Sequence, residues 1–163
     1  MILTKDEIER LAIVSNLIGP SQLQPAGVDL TVREVFALEG EGALDFDNSE
    51  RRLSETRRLE FDSKGWLHLP KGAYKITYNE VVKIPDDVLA LAFPRSSLTR
   101  CGASVLCAVW DPGYHGRSES LLVVYNERGI RLKKNARVVQ MIFLRLTNHA
   151  PETYKGRYHG ENL

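Results

Sequence analysis

From Trp66 to Leu146 the chain is a series of short apolar runs separated by turn formers, and this pattern restricts its fold more than any other feature. The runs "AYKITY", "VLALAF", "SVLCAVW", "LLVVY" and "ARVVQMIFLRL" are rich in β-branched and aromatic residues. Between them stand "LPKG", "KIPDD", "TRCG", "DPGYHG" and "NERG". Pro presets φ, Gly frees it, and Asp and Asn hydrogen-bond their own backbone, so each break reads as a turn between strands. Many short strands with this punctuation predict an antiparallel all-β barrel or sandwich.

One helix is expected. Thr4 and Glu7 form a Thr-x-x-Glu capping box, and Ile8, Leu11 and Ala12 follow at helical spacing, which predicts a helix over about residues 5–14, before Gly19-Pro20. In "GVDLTVREVFAL" the period changes to two: Val28, Leu30 and Val32 share one strand face, and Asp29, Thr31 and Arg33 the other. Residues 39–65 are charged, Gly- and Ser-containing and weakly periodic, and read as a surface excursion with little regular structure. Residues 151–163, "PETYKGRYHGENL", have the composition of a flexible tail. At 163 residues the chain predicts a single domain, 1–163.

Composition narrows the function. With 22 Lys and Arg against 21 Asp and Glu, nothing global draws the chain to nucleic acid. No stretch has the continuous apolar length of a membrane span and the first residues lack the pattern of a secretory signal, so a cytoplasmic protein without membrane or nucleic-acid partners is expected. Cys101 and Cys107 read as reduced thiols, and the four histidines show no zinc-type spacing with them.

Four polar runs carry candidate chemistry. "FPRSSLTRCG" offers Arg95, Ser96, Ser97 and Arg100, a set of charged forks and short hydroxyl donors suited to a polyphosphate; two serines between strands also cap ordinary turns. In "AVWDPGYHG", Asp111 closes an apolar run, either as the first residue of a Pro-Gly turn or as a carboxylate that orients and deprotonates a water, with the Tyr114 ring beside it. Asp29 in "QPAGVDL" is an acid within an apolar strand and needs a partner or a cation. Arg137 and Gln140, three apart in "NARVVQMIF", are expected on opposite strand faces.

Taken in order, "QPAGVDL", "PRSSLTRCG", "AVWDPGYHG", "NARVVQMIF" and "YKGRYHGENL" resemble the five motifs of the trimeric dUTPase and dCTP deaminase superfamily. The resemblance implies a distorted jelly-roll-like β-barrel with a short N-terminal helix, a homotrimer with nucleotide sites at subunit interfaces, and Mg²⁺ on the triphosphate. It implies that Arg95, Ser96 and Ser97 hold phosphates, with Arg100 nearby, and that Gln140 reaches a phosphate or its water shell. By the same resemblance Asp111 activates the water, Tyr114 packs on the deoxyribose, and Tyr154 or Tyr158 covers the nucleotide. Asp29 is either a structural acid or an outer-sphere partner of the metal.

Deaminases of this superfamily carry a catalytic glutamate on the strand after the third motif. Here the two registers place Val123 or Leu121 there, with Glu119 outside both. The expected activity is therefore hydrolysis of dUTP to dUMP and pyrophosphate, with a dCTP deaminase or a bifunctional deaminase-dUTPase as the alternative. In the tail, Arg157 and Glu161 stand where the deaminase-like pattern has Lys and Gln.

Overall fold

The computed structural model describes all 163 residues. Its elements in chain order are α1 (Lys5–Arg10), β1 (Val14–Ser15), a 3-10 turn (Pro20–Gln22), β2 (Leu23–Gln24), β3 (Gly27–Glu39), β4 (Glu55–Leu59), β5 (Trp66–Leu69), β6 (Gly72–Tyr78), β7 (Val81–Lys83) and β8 (Val88–Pro94). There follow α2 (Ser96–Arg100), β9 (Ala103–Leu106), β10 (His115–Gly116), β11 (Glu119–Val124), β12 (Ile130–Lys133) and β13 (Arg137–Arg145).

The main sheet runs β8-β13-β3-β6-β11-β9, with β2 and β4 pairing on β3, and all of its pairs are antiparallel. Its two ends meet. Trp110, a few residues past β9, exchanges backbone hydrogen bonds of 2.9 and 3.1 Å with Ala90 of β8, so the sheet curls into a nearly closed barrel. Small sheets β1-β7-β10 and β12-β5 complete the all-β architecture. Alternation supplies the core: Val28, Leu30 and Val32 of β3, Ile76 and Tyr78 of β6, Leu122 and Val124 of β11, and Met141 and Phe143 of β13 are buried together.

Three local expectations are corrected. The helix stops at Arg10 instead of reaching residue 14, because Ala12 takes a left-handed φ of 49° that turns the chain so that Ile13 enters the core and β1 pairs with β7. Within 39–65, β4 pairs with the second half of β3. Its alternation is masked because an edge strand carries charge: Arg57 bonds Glu39 at 2.6 Å and Arg58 bonds Glu34 at 3.0 Å across the pair. The run "RSSLTR" is not a simple turn but the helix α2, whose five residues are too few to show a helical period.

Candidate functional site

The "RSSLTR" and "NARVVQ" runs meet at one cleft of about 520 Å³. Asp29, Arg95, Ser96 and Gln140 form its polar wall, and Phe93 and Ile142 its apolar one. Asp29, 1% exposed, receives Arg95 Nε at 3.0 Å and Arg137 Nη1 at 3.3 Å. Burial pushes its carboxyl above the ordinary value, and the two guanidiniums hold back part of that rise. The acid thus has cationic partners, and with only its Nε engaged on Asp29, Arg95 keeps its terminal nitrogens for another anion.

The opposite-face expectation for Arg137 and Gln140 fails, and a β-bulge is the reason. Arg137 pairs with Thr31, yet Val139 pairs with Leu30, so the register shifts at Val138 and both Val138 and Val139 are buried. The extra residue re-phases β13: Gln140 stands opposite Asp29, and Arg137 reaches that same carboxylate. Gly27 lets the strands approach here, since a Cβ on it would lie 2.4 Å from the Met141 carbonyl oxygen and 3.3 Å from Gln140 Nε2.

A second cleft, of about 410 Å³, holds Asp111, Tyr114, Tyr154, Tyr158, Glu119 and Glu161 among its lining residues, with Leu38, Leu53, Val109 and Leu121 as apolar walls. Asp111 is exposed, and only its carbonyl is engaged in the turn, accepting the Tyr114 N–H at 3.1 Å. Tyr114 is 5% exposed and donates its hydroxyl to Glu161 Oε1 at 2.7 Å. Burial and the neighbouring carboxylate push the Tyr114 phenol well above its ordinary value; burial likewise raises Glu161, which Glu119 raises further while the Tyr114 hydrogen bond and Lys75 oppose.

The tail, expected as a flexible segment, is folded onto this cleft. Tyr154 N–H donates to the Pro112 carbonyl at 2.7 Å, Gly160 N–H to His115 at 2.7 Å, and Arg117 N–H to Glu161 at 3.0 Å. The Tyr154 ring lies 6.0 Å from that of Tyr114, tilted by 51°. Polar and Gly-rich composition conceals such docking because the contacts run through backbone groups and one carboxyl.

Within one chain the predicted residues therefore fall into two groups. Arg95, Ser96, Gln140 and Asp29 share the first cleft; Asp111, Tyr114, Tyr154 and Tyr158 share the second; Ser97 and Arg100 are exposed on α2 and line neither. On β11 the outward face presents Glu119, Leu121 and Val123, while Ser120, Leu122 and Val124 face the core. Glu119 lines the second cleft but is committed to Lys75 Nζ at 3.1 Å. The motifs did not point to Lys75, and they singled out Glu161 without its Tyr114 partner; both contacts depend on a cross-strand pair and a returning tail that no local spacing encodes.

A nearly closed antiparallel barrel with an arginine-serine-glutamine cleft and a separate aspartate-tyrosine cleft defines an all-β protein of the barrel class. Residues 2–146 match the family described as dCTP deaminase-like. The chain belongs to that family. It is 49% identical to the probable deoxyuridine 5'-triphosphate nucleotidohydrolase of Methanosarcina acetivorans, over 99% of this chain and 98% of the relative. It is also 40% identical to the deoxyuridine 5'-triphosphate nucleotidohydrolase of Methanocaldococcus jannaschii, over 85% of this chain and 88% of the relative. The crystal structure of 2'-deoxycytidine 5'-triphosphate deaminase from Agrobacterium tumefaciens shares the fold, with TM-score 0.65 and 21% identity over 87% of this chain and 47% of that one.

Proposed function

We propose that this chain is a dUTP diphosphatase that hydrolyses dUTP to dUMP and pyrophosphate by attack of water on the α-phosphorus. The observation that carries the reading is the contrast between two acids of the second cleft. Asp111 is exposed at its rim with a carboxylate free to act on water, whereas Glu119, the one acid of β11, is tied to Lys75. Leu121 and Val123 supply no proton shuttle for attack on a base. The names of the near-full-length archaeal relatives point the same way.

On this reading Arg95, Ser96 and Gln140 hold the triphosphate, with Ser97 and Arg100 approaching it from α2. Tyr114 packs on the deoxyribose and Tyr154 and Tyr158 cover the nucleotide. The two clefts share no residue within one chain, which favours a homotrimer in which one protomer's phosphate cleft adjoins its neighbour's Asp111 cleft. Because Asp29 is engaged by two guanidiniums, the first cleft suits a magnesium ion that arrives on the triphosphate, with Ser96 and Gln140 as the neutral side chains that would meet its water shell. A magnesium ion held there on the triphosphate would supply positive charge to offset that of the leaving pyrophosphate. Arg95 stabilises the same charge, and Asp111 orients the water and takes its proton.

Incubation with Mg²⁺ and either dUTP or dCTP separates this from deamination: pyrophosphate from dUTP and no ammonia from dCTP is expected. Asp111→Asn removes the base and keeps the turn, which depends on the backbone carbonyl. It should bind nucleotide while kcat falls by about 10²–10⁴-fold. A near-normal kcat in this variant would overturn the assignment.

A further inference from the structure

We infer that Glu80 is a positioning residue that holds β3 in the register at which Asp29 presents Arg95 to the first cleft. Glu80 lies in the β6–β7 corner, is 0% exposed, and has no cation among its hydrogen-bond partners. Its Oε1 accepts Gln22 Nε2 at 2.7 Å and Thr31 Oγ1 at 2.5 Å, and its Oε2 accepts the Thr31 backbone N–H at 2.9 Å. A buried carboxylate with neutral partners is an expensive way to fill a core, so its contribution lies in direction rather than in stability.

The direction is toward the first cleft. Thr31 is two residues beyond Asp29 on the same strand face and is the register partner of Arg137. Gln22 spans the remaining gap, donating to the Asp29 carbonyl at 2.9 Å while its Oε1 accepts the Ile18 N–H at 2.6 Å. Glu80 thus fixes both neighbours of Asp29: the strand that carries it and the side chain that holds its carbonyl. The adjacent Asn79 extends the corner the other way, since its carbonyl accepts Arg117 Nε at 3.1 Å and Arg117 Nη1 donates to the Asn162 carbonyl of the tail at 2.9 Å.

The inference rests on the reading of that cleft as the phosphate-holding one, and it is tested by binding rather than by turnover. In Glu80→Gln the carboxamide can still accept from Gln22 and the Thr31 hydroxyl, but it turns a donor toward the Thr31 N–H and breaks that bond. The dissociation constant of the magnesium complex of α,β-imido-dUTP, by calorimetry well below the melting temperature, should rise on the order of 10- to 100-fold. That of deoxyuridine should stay unchanged. Thr31→Val should weaken triphosphate binding in the same sense and Thr31→Ser, which keeps the hydroxyl, should restore it, so the test stands even if Glu80→Gln folds poorly. Folded variants with a lowered melting temperature but native affinity for the imido nucleotide would overturn the inference. A native protein that binds the imido nucleotide yet releases no pyrophosphate from dUTP would sink the hydrolase reading alone; one that binds no triphosphate would overturn both.

Discussion

Gly113 is the position at which the docking of the tail can be tested without touching a candidate site side chain. It takes a φ of +85°, and a Cβ added there would lie 2.6 Å from Thr153 Cβ and 3.2 Å from the Tyr154 nitrogen. A β-carbon in the left-handed region costs the body of the protein about 1–2 kcal/mol. The overlap with Thr153 is a separate effect, because ordinary carbon contacts lie at about 3.5–4.0 Å and no rotamer change can move one Cβ from another. The tail must shift by roughly 1 Å, which breaks the 2.7 Å bond from Tyr154 N–H to Pro112 and loosens the Tyr154 ring on Tyr114. Those contacts contribute about 0.5–1.5 kcal/mol each, so Gly113→Ala should reduce the docking equilibrium constant about 5- to 150-fold. Amide exchange reads this directly. The Arg117 and Gly160 N–H groups bond across the tail junction and should lose protection, while the Ile84 and Lys83 N–H groups, bonded to Tyr114 and Ile13 carbonyls in the body, should keep theirs apart from the global loss. Undiminished protection at Arg117 and Gly160 beyond that global loss would refute the steric argument.

Two further outcomes follow from the same geometry. Deleting residues 151–163 removes the Tyr114–Glu161 bond, the Tyr154–Pro112 bond and the Tyr154 ring packed on Tyr114, but no fully buried side chain, so the barrel should still fold with stability lowered by about 1.5–4.5 kcal/mol while kcat/KM for dUTP falls more than about tenfold; unaltered kinetics would show that the tail takes no part. Burial raises the Glu80 and Glu161 carboxyls above 4.5, so between that value and the raised ones the folded protein binds more protons than the unfolded chain. Their contribution to stability is therefore greatest at the acid end of that window and declines as pH rises through it. Measured by urea midpoint, the stability of the native chain relative to Glu80→Gln should fall from pH 5 toward neutrality, and a flat difference would contradict the raised value.

What the sequence reveals and conceals here has a physical pattern. The strands β6, β8, β11 and β13 are legible because period-two burial and turn formers are local signals. Pairing geometry is not local. The bulge at Val138 looks in sequence like any other pair of valines, yet it moves Arg137 to the face of Gln140 and supplies Asp29 with its second guanidinium. Glu80 is likewise opaque, because its meaning lies in Thr31 and Gln22, which reach it from distant parts of the chain. The runs around Arg95 and Asp111 are near neighbours in sequence, but α2 and the Trp110–Ala90 bridge send them to different clefts. A motif fixes which groups are available; the sheet decides which of them share a cavity. For this chain the division has a consequence for any assay of single variants. Damage at Arg95 and damage at Asp111 fall in different clefts of one protomer, so if neighbouring protomers complete each other's sites, a mixture of Arg95→Ala and Asp111→Asn chains will regain activity that neither has alone. If each chain carries a whole site, mixing restores nothing, which makes complementation the direct test of how the two clefts are joined.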